Sequence, residues 1–314
     1  MFEKVLEEIN KHSRIIIHRH ENPDGDAIGA QVGLKHLILE NFPGKQVYTV
    51  GDPAGRYAFI EGSTVDVIPD EFYQGALVFV LDLSAAHLIA DKRYSLGDRT
   101  IRIDHHISGP EKFCDLEIAD TSFESACGLI TQMAVELNLN MSPVAASALY
   151  TGMVTDSGRF RYDCTTARTF RLAAVLMEKG VDLNAIYQNL YMSDIERVRL
   201  RAMFTDRIQL TSNNVGYLYN DLAFVKSLPL DTFGISRGMV SVMSDLRGID
   251  IWVNFTETSE NTVLCELRSS CYNINPIAVK YGGGGHAKAS GATLHSREEA
   301  MSMLRDLDAI MLGD

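Results

Sequence analysis

Histidines and aspartates recur at the ends of apolar runs along this chain, and their types and spacing could hold divalent cations. The stretch IIIHRHENPDGDAIGA carries His20, Asp24 and Asp26 within seven residues. Asn22-Pro23-Asp24-Gly25 is a turn signal, so both aspartates sit on a constrained loop between an apolar run and a helical pattern. Asp82 follows ALVFVL, Asp104-His105-His106 follows TIRI, and Asp156 lies in TGMVTDSGRF. Clustered carboxylates repel one another, and a cation offsets that repulsion. Oxygen and imidazole ligands favour Mn²⁺, with Mg²⁺, Co²⁺ or Fe²⁺ as alternatives, over a thiolate-bound zinc. Two such cations about 3.5–4 Å apart activate a water and polarise a phosphoryl oxygen, which is the chemistry of phosphoester hydrolysis. Taken singly, a D-G-D loop is more often a plain turn, Asp82 a strand cap and Asp156 a helix end. The argument rests on their joint recurrence.

The elements that must position these residues alternate. An amphipathic helix is expected over 2–11, a strand over 15–18 and a helix over 25–40. Strands are expected at 44–50, 65–68, 76–81 and 100–103, then helices at 124–137, 143–154 and 166–178. Strands alternating with helices predict a doubly wound, mostly parallel α/β sheet, with the strand ends gathered at one edge. Residues 182–208 hold two further helical patterns. The chain therefore divides into a first domain at 1–190, a helical linker at 191–208 and a smaller α/β domain at 209–314. In the latter, a hairpin at 208–219 turns at Asn213-Asn214, strands follow at 249–257 and 262–269, and a helix runs from the Ser296/Glu299 capping pattern to about 311. Gly282, Gly283, Gly284 and Gly285, followed by His286, would let a backbone approach an anion closely. Glycine runs are more often linkers, but this one lies between the helix-like PIAVKY and the strand-like SGATLH.

Composition narrows the class. The net charge of −12 argues against a general duplex-binding protein, which would carry a basic face. No apolar run reaches the roughly 18 residues of a membrane span, and the charged start MFEKVLEEINKHSR is not a secretory signal. The five cysteines form no C-x-x-C pair and read as reduced thiols of a cytoplasmic protein with no membrane partner.

H-x-N-P-D-G-D at 20–26, DHH at 104–106 and GGGGH at 282–286 together resemble the DHH/DHHA1 phosphoesterases, over nearly the whole chain. The run TDSGRFRYDCTTARTF and the two-domain length most resemble the small stand-alone branch, the nanoRNase (oligoribonuclease) and pAp phosphatase enzymes. The resemblance implies that His20 and Asp24 bind one cation, that Asp26, His105 and Asp156 bind a second, and that Asp82 bridges the two. It implies that His106 faces the substrate, stabilising the transferring phosphoryl group or assisting proton transfer, while Asp104 orients a histidine rather than binding metal. Arg268 and Ser269, with Gly283, Gly284, Gly285 and His286, would hold a substrate phosphate, so the active site would lie in the cleft between the domains, with the linker as hinge.

The expected substrates are short single-stranded oligonucleotides, RNA or DNA, cut to 5′-mononucleotides by a two-metal mechanism with a bridging hydroxide. The same chemistry would convert pAp to AMP. Linear dinucleotides such as pApA or pGpG are the runner-up. An inorganic pyrophosphatase ranks lower, because the chain has GGGGH and no Ser-Arg-Lys-Lys-Gln run; a non-catalytic nucleotide sensor ranks lower too, because the ligand set is intact. Dimers are common in this branch, which leaves a homodimer open. For Arg159 and Arg161 a phosphate contact and a surface ion pair weigh equally. Tyr57, Phe59 and Tyr281 could stack a base, although core packing is the commoner role.

Overall fold

Burial on both faces governs the first sheet. The computed structural model describes residues 2–107 and 112–311. After α1 (Glu3–Lys11) come β1 (Arg14–Arg19), α2 (Gly25–Asn41), β2 (Gln46–Thr49), β3 (Ala76–Leu81), β4 (Arg99–Asp104) and β5 (Leu116–Ala119). The strands run parallel in the order β2-β1-β3-β4-β5. Ile15 and Ile17 of β1, with Leu77, Phe79 and Leu81 of β3, share one apolar cluster with α2, α3 (Ala126–Glu136) and α4 (Pro143–Asp156). Ile16, Val78 and Val80 turn the other way, toward Ile68, Tyr73 and Ile89. Both faces are covered, which is why β3 reads as an unbroken apolar run. β1 is followed in space by β2 on one side and β3 on the other. The carboxyl ends of β1 and β3 therefore flank the topological switch point, the usual ligand crevice of such a sheet. Helices α5 (Ala167–Met177) and α6 (Leu183–Tyr191) follow.

The strand expected at 65–68 does not form. Asp66 makes a single main-chain bond to β2, from its amide to the Thr49 carbonyl, and its carboxylate accepts the Thr49 amide. Val67 is left fully exposed and Pro69 follows, so no second ladder bond is made. β5 was not expected; LEIA is half-exposed and too short to show a period.

Contacts divide the chain into two units, Met1–Met192 and Ser193–Asp314. The second contains α7 (Ile195–Asp206), β6 (Gln209–Leu210), β7 (Gly216–Asn220), α8 (Leu222–Ser227), α9 (Thr232–Met239), β8 (Ile251–Glu257), β9 (Val263–Ser269), α10 (Asn275–Lys280), β10 (Gly284–His286), β11 (Ala289–Leu294) and α11 (Arg297–Ile310). Its sheet is mixed, in the order β10-β11-β9-β8-β7-β6, with β7 and β8 parallel. Val253 and Phe255 pack on Met303 and Leu307 of α11, while Leu218 and Trp252 on the other face meet Ile235 and Met239 of α9. Helix α7 lies within the segment read as linker, and its Phe204 is buried in this unit's own core. Among the described residues no helix is long and apolar enough to cross a membrane, and all five cysteines are free.

Candidate metal centre

The polar residues past β1, β3 and β4 meet the ends of two helices. The Nδ1 of His20 lies 2.7 Å from the Glu21 carbonyl and donates to it, which leaves Nε2 as a potential ligand. That nitrogen is 3.7 Å from Asp24 Oδ1 and 3.6 Å from Asp82 Oδ2. Asp24 is the N-cap of α2 and accepts the amides of Asp26 and Ala27, each at 3.0 Å. Asp26 is fully buried, and both its oxygens accept first-turn amides of α3, from Ala126 at 2.6 Å and Cys127 at 2.9 Å. Those amides have no partner within the helix, and a carboxylate there is favoured by the macrodipole. Asp82 follows β3 with a φ of 59°, the left-handed region that aspartate tolerates better than most residues.

His105 draws the remaining ligands together. Its Nε2 lies 3.5 Å from Asp82 Oδ1, 3.9 Å from Asp26 Oδ2 and 3.1 Å from Asp156 Oδ2. Asp156 is the last residue of α4. A carboxylate at a helix C-terminus opposes the dipole, so a cation is needed to offset it.

Three sets of potential ligand atoms each fall within 4.8 Å of one another: His20, Asp24 and Asp82; Asp26, His105 and Asp156; and Asp82, His105 and His106. Among the described residues, buried Asp82 Oδ1 and buried His105 Nε2 have no hydrogen-bond partner. Buried polar atoms are almost always satisfied, and an oxygen and a nitrogen orphaned amid carboxylates are what divalent cations would satisfy. Without cations the cluster holds protons instead. Burial alone would lower the His20 imidazole, yet Asp24 and Asp82 raise it to about 10. His105 is likewise raised against its burial by Asp82, Asp26 and Asp156. Burial pushes the Asp26 and Asp156 carboxyls up, and the neighbouring acids add to it.

His106 stands apart. Its Nδ1 donates to Asp104 Oδ1 at 2.7 Å, and buried Asp104 pairs with buried Arg102, whose Nε donates to the Leu83 carbonyl at 2.8 Å. The nitrogen that faces the third set, Nδ1 at 3.7 Å from Asp82 Oδ1, is committed to Asp104, and in the imidazolium form Nε2–H is a donor to something else. The hydrogen bond it donates to the Asp104 carboxylate raises the His106 pKa.

Every candidate ligand lies in the first unit, and every candidate phosphate-holding residue in the second. Arg268 on β9 pairs with Glu266 at 3.0 Å and donates to the Leu267 carbonyl at 2.8 Å. Ser269 Oγ accepts the amides of Cys271 and Tyr272, which closes the turn after β9. The glycines split by role. A Cβ on Gly283 would meet the Gly291 carbonyl at 2.1 Å, and one on Gly285, with φ 132°, the Ala289 carbonyl at 2.6 Å. Both are therefore required by the β10–β11 hairpin itself. Gly284 faces open space. His286 is exposed and pairs with Ala289 across the hairpin.

Known proteins resemble the chain along its whole length. The model of the DHH family, N-terminal domain, matches residues 14–153, and that of the DHHA1 domain matches 223–312. The probable bifunctional oligoribonuclease and PAP phosphatase NrnA of Streptococcus mutans is 33% identical over 310 residues, covering 99% of each chain. The chain belongs to the DHH/DHHA1 phosphoesterase family. The Bacillus subtilis bifunctional oligoribonuclease and PAP phosphatase NrnA is 32% identical, over 98% of this chain and 97% of its own length. A solved exopolyphosphatase-related protein from Bacteroides fragilis shares the fold of this DHH/DHHA1 chain, with a TM-score of 0.87, 24% identity and coverage of 99% and 97%.

Some features of this DHH domain escaped the sequence reading. The α3 amides that hold Asp26 lie a hundred residues from it and leave no local signal. Arg102, a charged residue in the strand before DHH to which the sequence reading assigned no role, is buried. Gly25, Gly29 and Gly33 recur every fourth residue along α2, a spacing visible in the sequence. They let α2 approach α4, for a Cβ on Gly29 would meet the Ala148 carbonyl at 2.4 Å.

Proposed function

We propose that this phosphoesterase hydrolyses short single-stranded oligonucleotides to 5′-mononucleotides and removes the 3′-phosphate of pAp to give AMP. Full-length relatives named for both activities support the reading. The observation that carries it is Asp82, one buried carboxylate between two sets of ligand atoms, with an oxygen that no protein donor satisfies. In this reading His20, Asp24 and Asp82 hold one cation, and Asp26, Asp82, His105 and Asp156 the other; Mn²⁺ suits such an oxygen and imidazole set. When bound, the pair supplies Lewis acidity at a phosphoryl oxygen and acidifies a water at neutral pH.

The chain's own residues do the rest. Arg102 and Asp104 fix the His106 ring through Nδ1, so Nε2–H donates to an oxygen of the scissile phosphate. The Arg268 fork holds a substrate phosphate with Ser269, Gly283, Gly284, Gly285 and His286. Cation binding belongs to residues 1–190, phosphate holding to 209–314, and 191–208 joins them. Free cysteines fit a cytoplasmic setting.

The test is a product analysis with Mn²⁺, end-labelled RNAs of two to fifteen nucleotides, and pAp. Asp82→Asn is the control, because asparagine tolerates the left-handed backbone. Mononucleotides released fastest from the shortest RNAs, phosphate released from pAp, and neither from the control, are expected. Cleavage of pyrophosphate alone would overturn the reading.

A further inference from the structure

Beside the loop that carries His20 and Asp24, the first unit has a cleft of about 520 Å³ lined by Asn22, Asp52, Arg56 and Tyr57 among others. Asn22 belongs to that loop, so the cleft and the candidate metal centre share a wall. Tyr57 lies close enough to Gly25, Asp24 and Asp156 for the loop and its acids to act on the phenol electrostatically. The cleft is held in shape from below. The Asn22 amide donates to Asp52 Oδ2 at 2.9 Å, and the buried Arg19 side chain donates to the Asp52 carbonyl.

Arginine and tyrosine pair at the cleft and again at the end of α6. The Arg56 guanidinium lies 5.1 Å from the Tyr57 ring centre, and its Nη2 donates to the Leu190 carbonyl at 3.2 Å. Tyr191, the next residue, carries a second guanidinium, that of Arg159, 4.8 Å from its ring centre. Arg159 lies three residues past Asp156 and is held at a φ of 64°, a left-handed conformation that arginine rarely adopts. Two cation–aromatic pairs thus meet at the end of α6, next to an acidic cluster, in a chain of net charge −12. The candidate cation ligands do not require them. Arg56, Arg159 and Tyr191 are exposed, and Tyr57 is half-buried against the core. Guanidinium and phenol planes are the surfaces on which single-stranded nucleic acids stack their bases, and the arginines offset backbone charge.

We propose that the Arg56–Tyr57 cleft is a nucleoside subsite, which stacks the base of a nucleotide adjoining the scissile phosphate. This rests on the oligonucleotide reading above and deepens it.

The test uses the full chain with Mn²⁺ and three substrates: pApA and two analogues, each lacking one base. Turnover is compared for the unaltered protein, Tyr57→Ala, Tyr57→Phe and Arg56→Ala, and Mn²⁺ affinity is measured by calorimetry for each. Loss of a stacking ring is expected to raise KM for pApA roughly tenfold or more in Tyr57→Ala. Mn²⁺ affinity should hold, Tyr57→Phe should recover most of the loss, and the penalty should vanish for one of the two abasic analogues. An unchanged KM, or an equal rise for all three substrates, would overturn the subsite. So would a fall in Mn²⁺ affinity that accounts for the KM change, since Tyr57 would then act only through the loop that carries Asp24. Should Tyr57→Ala fail to fold, exposed Arg56→Ala carries the same comparison. If the unaltered protein cleaves no dinucleotide at all, the oligonucleotide reading fails and the subsite falls with it. Turnover of pApA with no base effect removes the subsite alone.

Discussion

Asp82 and His106 occupy neighbouring positions and have opposite chemistry. Asp82 is buried with an unsatisfied oxygen, whereas His106 is more exposed and tied to Asp104 and Arg102. In the proposed reading the first accepts a cation, and the second stabilises the transferring phosphoryl group or assists proton transfer. His106→Ala should therefore cut kcat by about 10²–10⁴, the usual range for a positioned proton donor, and leave Mn²⁺ affinity unchanged. Weakened Mn²⁺ binding by calorimetry would instead make His106 a ligand. A second prediction concerns protons. In the metal-free protein His20 and His105 are raised by the acids around them and stay protonated at neutral pH. Cations need the neutral imidazoles, so binding must expel those protons and must weaken as pH falls. Titration of Mn²⁺ near pH 7.5, in two buffers of different ionisation enthalpy, should show about one or more protons released per chain. Equal heats in the two buffers would contradict it. The acidic and histidine clusters were legible because each is a local pattern at a strand end or, for Asp156, at a helix end. Arg102 was not, since a strand's alternation does not reveal an ion pair buried beneath its edge.

Helix α2 shows how an element sets the site. Asp24 caps it, Asp26 lies in its first turn, and its glycines bring it against α4, which ends at Asp156. The distance between Asp26 and Asp156 therefore depends on how closely the two helices cross. Gly152 of α4 continues the arrangement: a Cβ there would meet Cys127 Sγ at 2.2 Å and Asp26 Oδ1 at 2.7 Å. Gly29→Ala would press on the Ala148 carbonyl, which is backbone and cannot rotate away. Overpacking of this kind costs about 1–3 kcal/mol. A lowered thermal midpoint in the metal-free chain is expected, together with weaker Mn²⁺ binding. Both unchanged would mean that the helix crossing does not set the site. The fourfold glycine spacing was open to reading in the sequence, but which helix it faces was not. Helices α8 and α9 were similarly signalled by Asp221 and Asp231, whose carboxylates accept the amides of Phe224 and Gly234. They are too short for a clear apolar period.

At the scale of the whole molecule, two units each enclose their own apolar clusters, and the proposed reading divides the chemistry between them by residue type. Acids and imidazoles belong to the first, an arginine and a glycine hairpin to the second. The parallel sheet of the first unit was legible because its strands are apolar runs separated by helices. The mixed sheet of the second was legible only in part: SGATLH showed β11, but β10 was hidden because its glycines read as a loop. The expected strand at 65–68 failed where a favourable composition met too few ladder partners.

The central claim is that Asp82 is shared by two cations. The measurement that tests it most directly is the stoichiometry of Mn²⁺ bound to the metal-free chain and to Asp82→Asn, by calorimetry with metal analysis of the dialysed protein. The account predicts two Mn²⁺ per chain, with both sites weakened by the single substitution. One Mn²⁺ per chain, or an Asp82→Asn chain that still binds two with unchanged affinity, would contradict it.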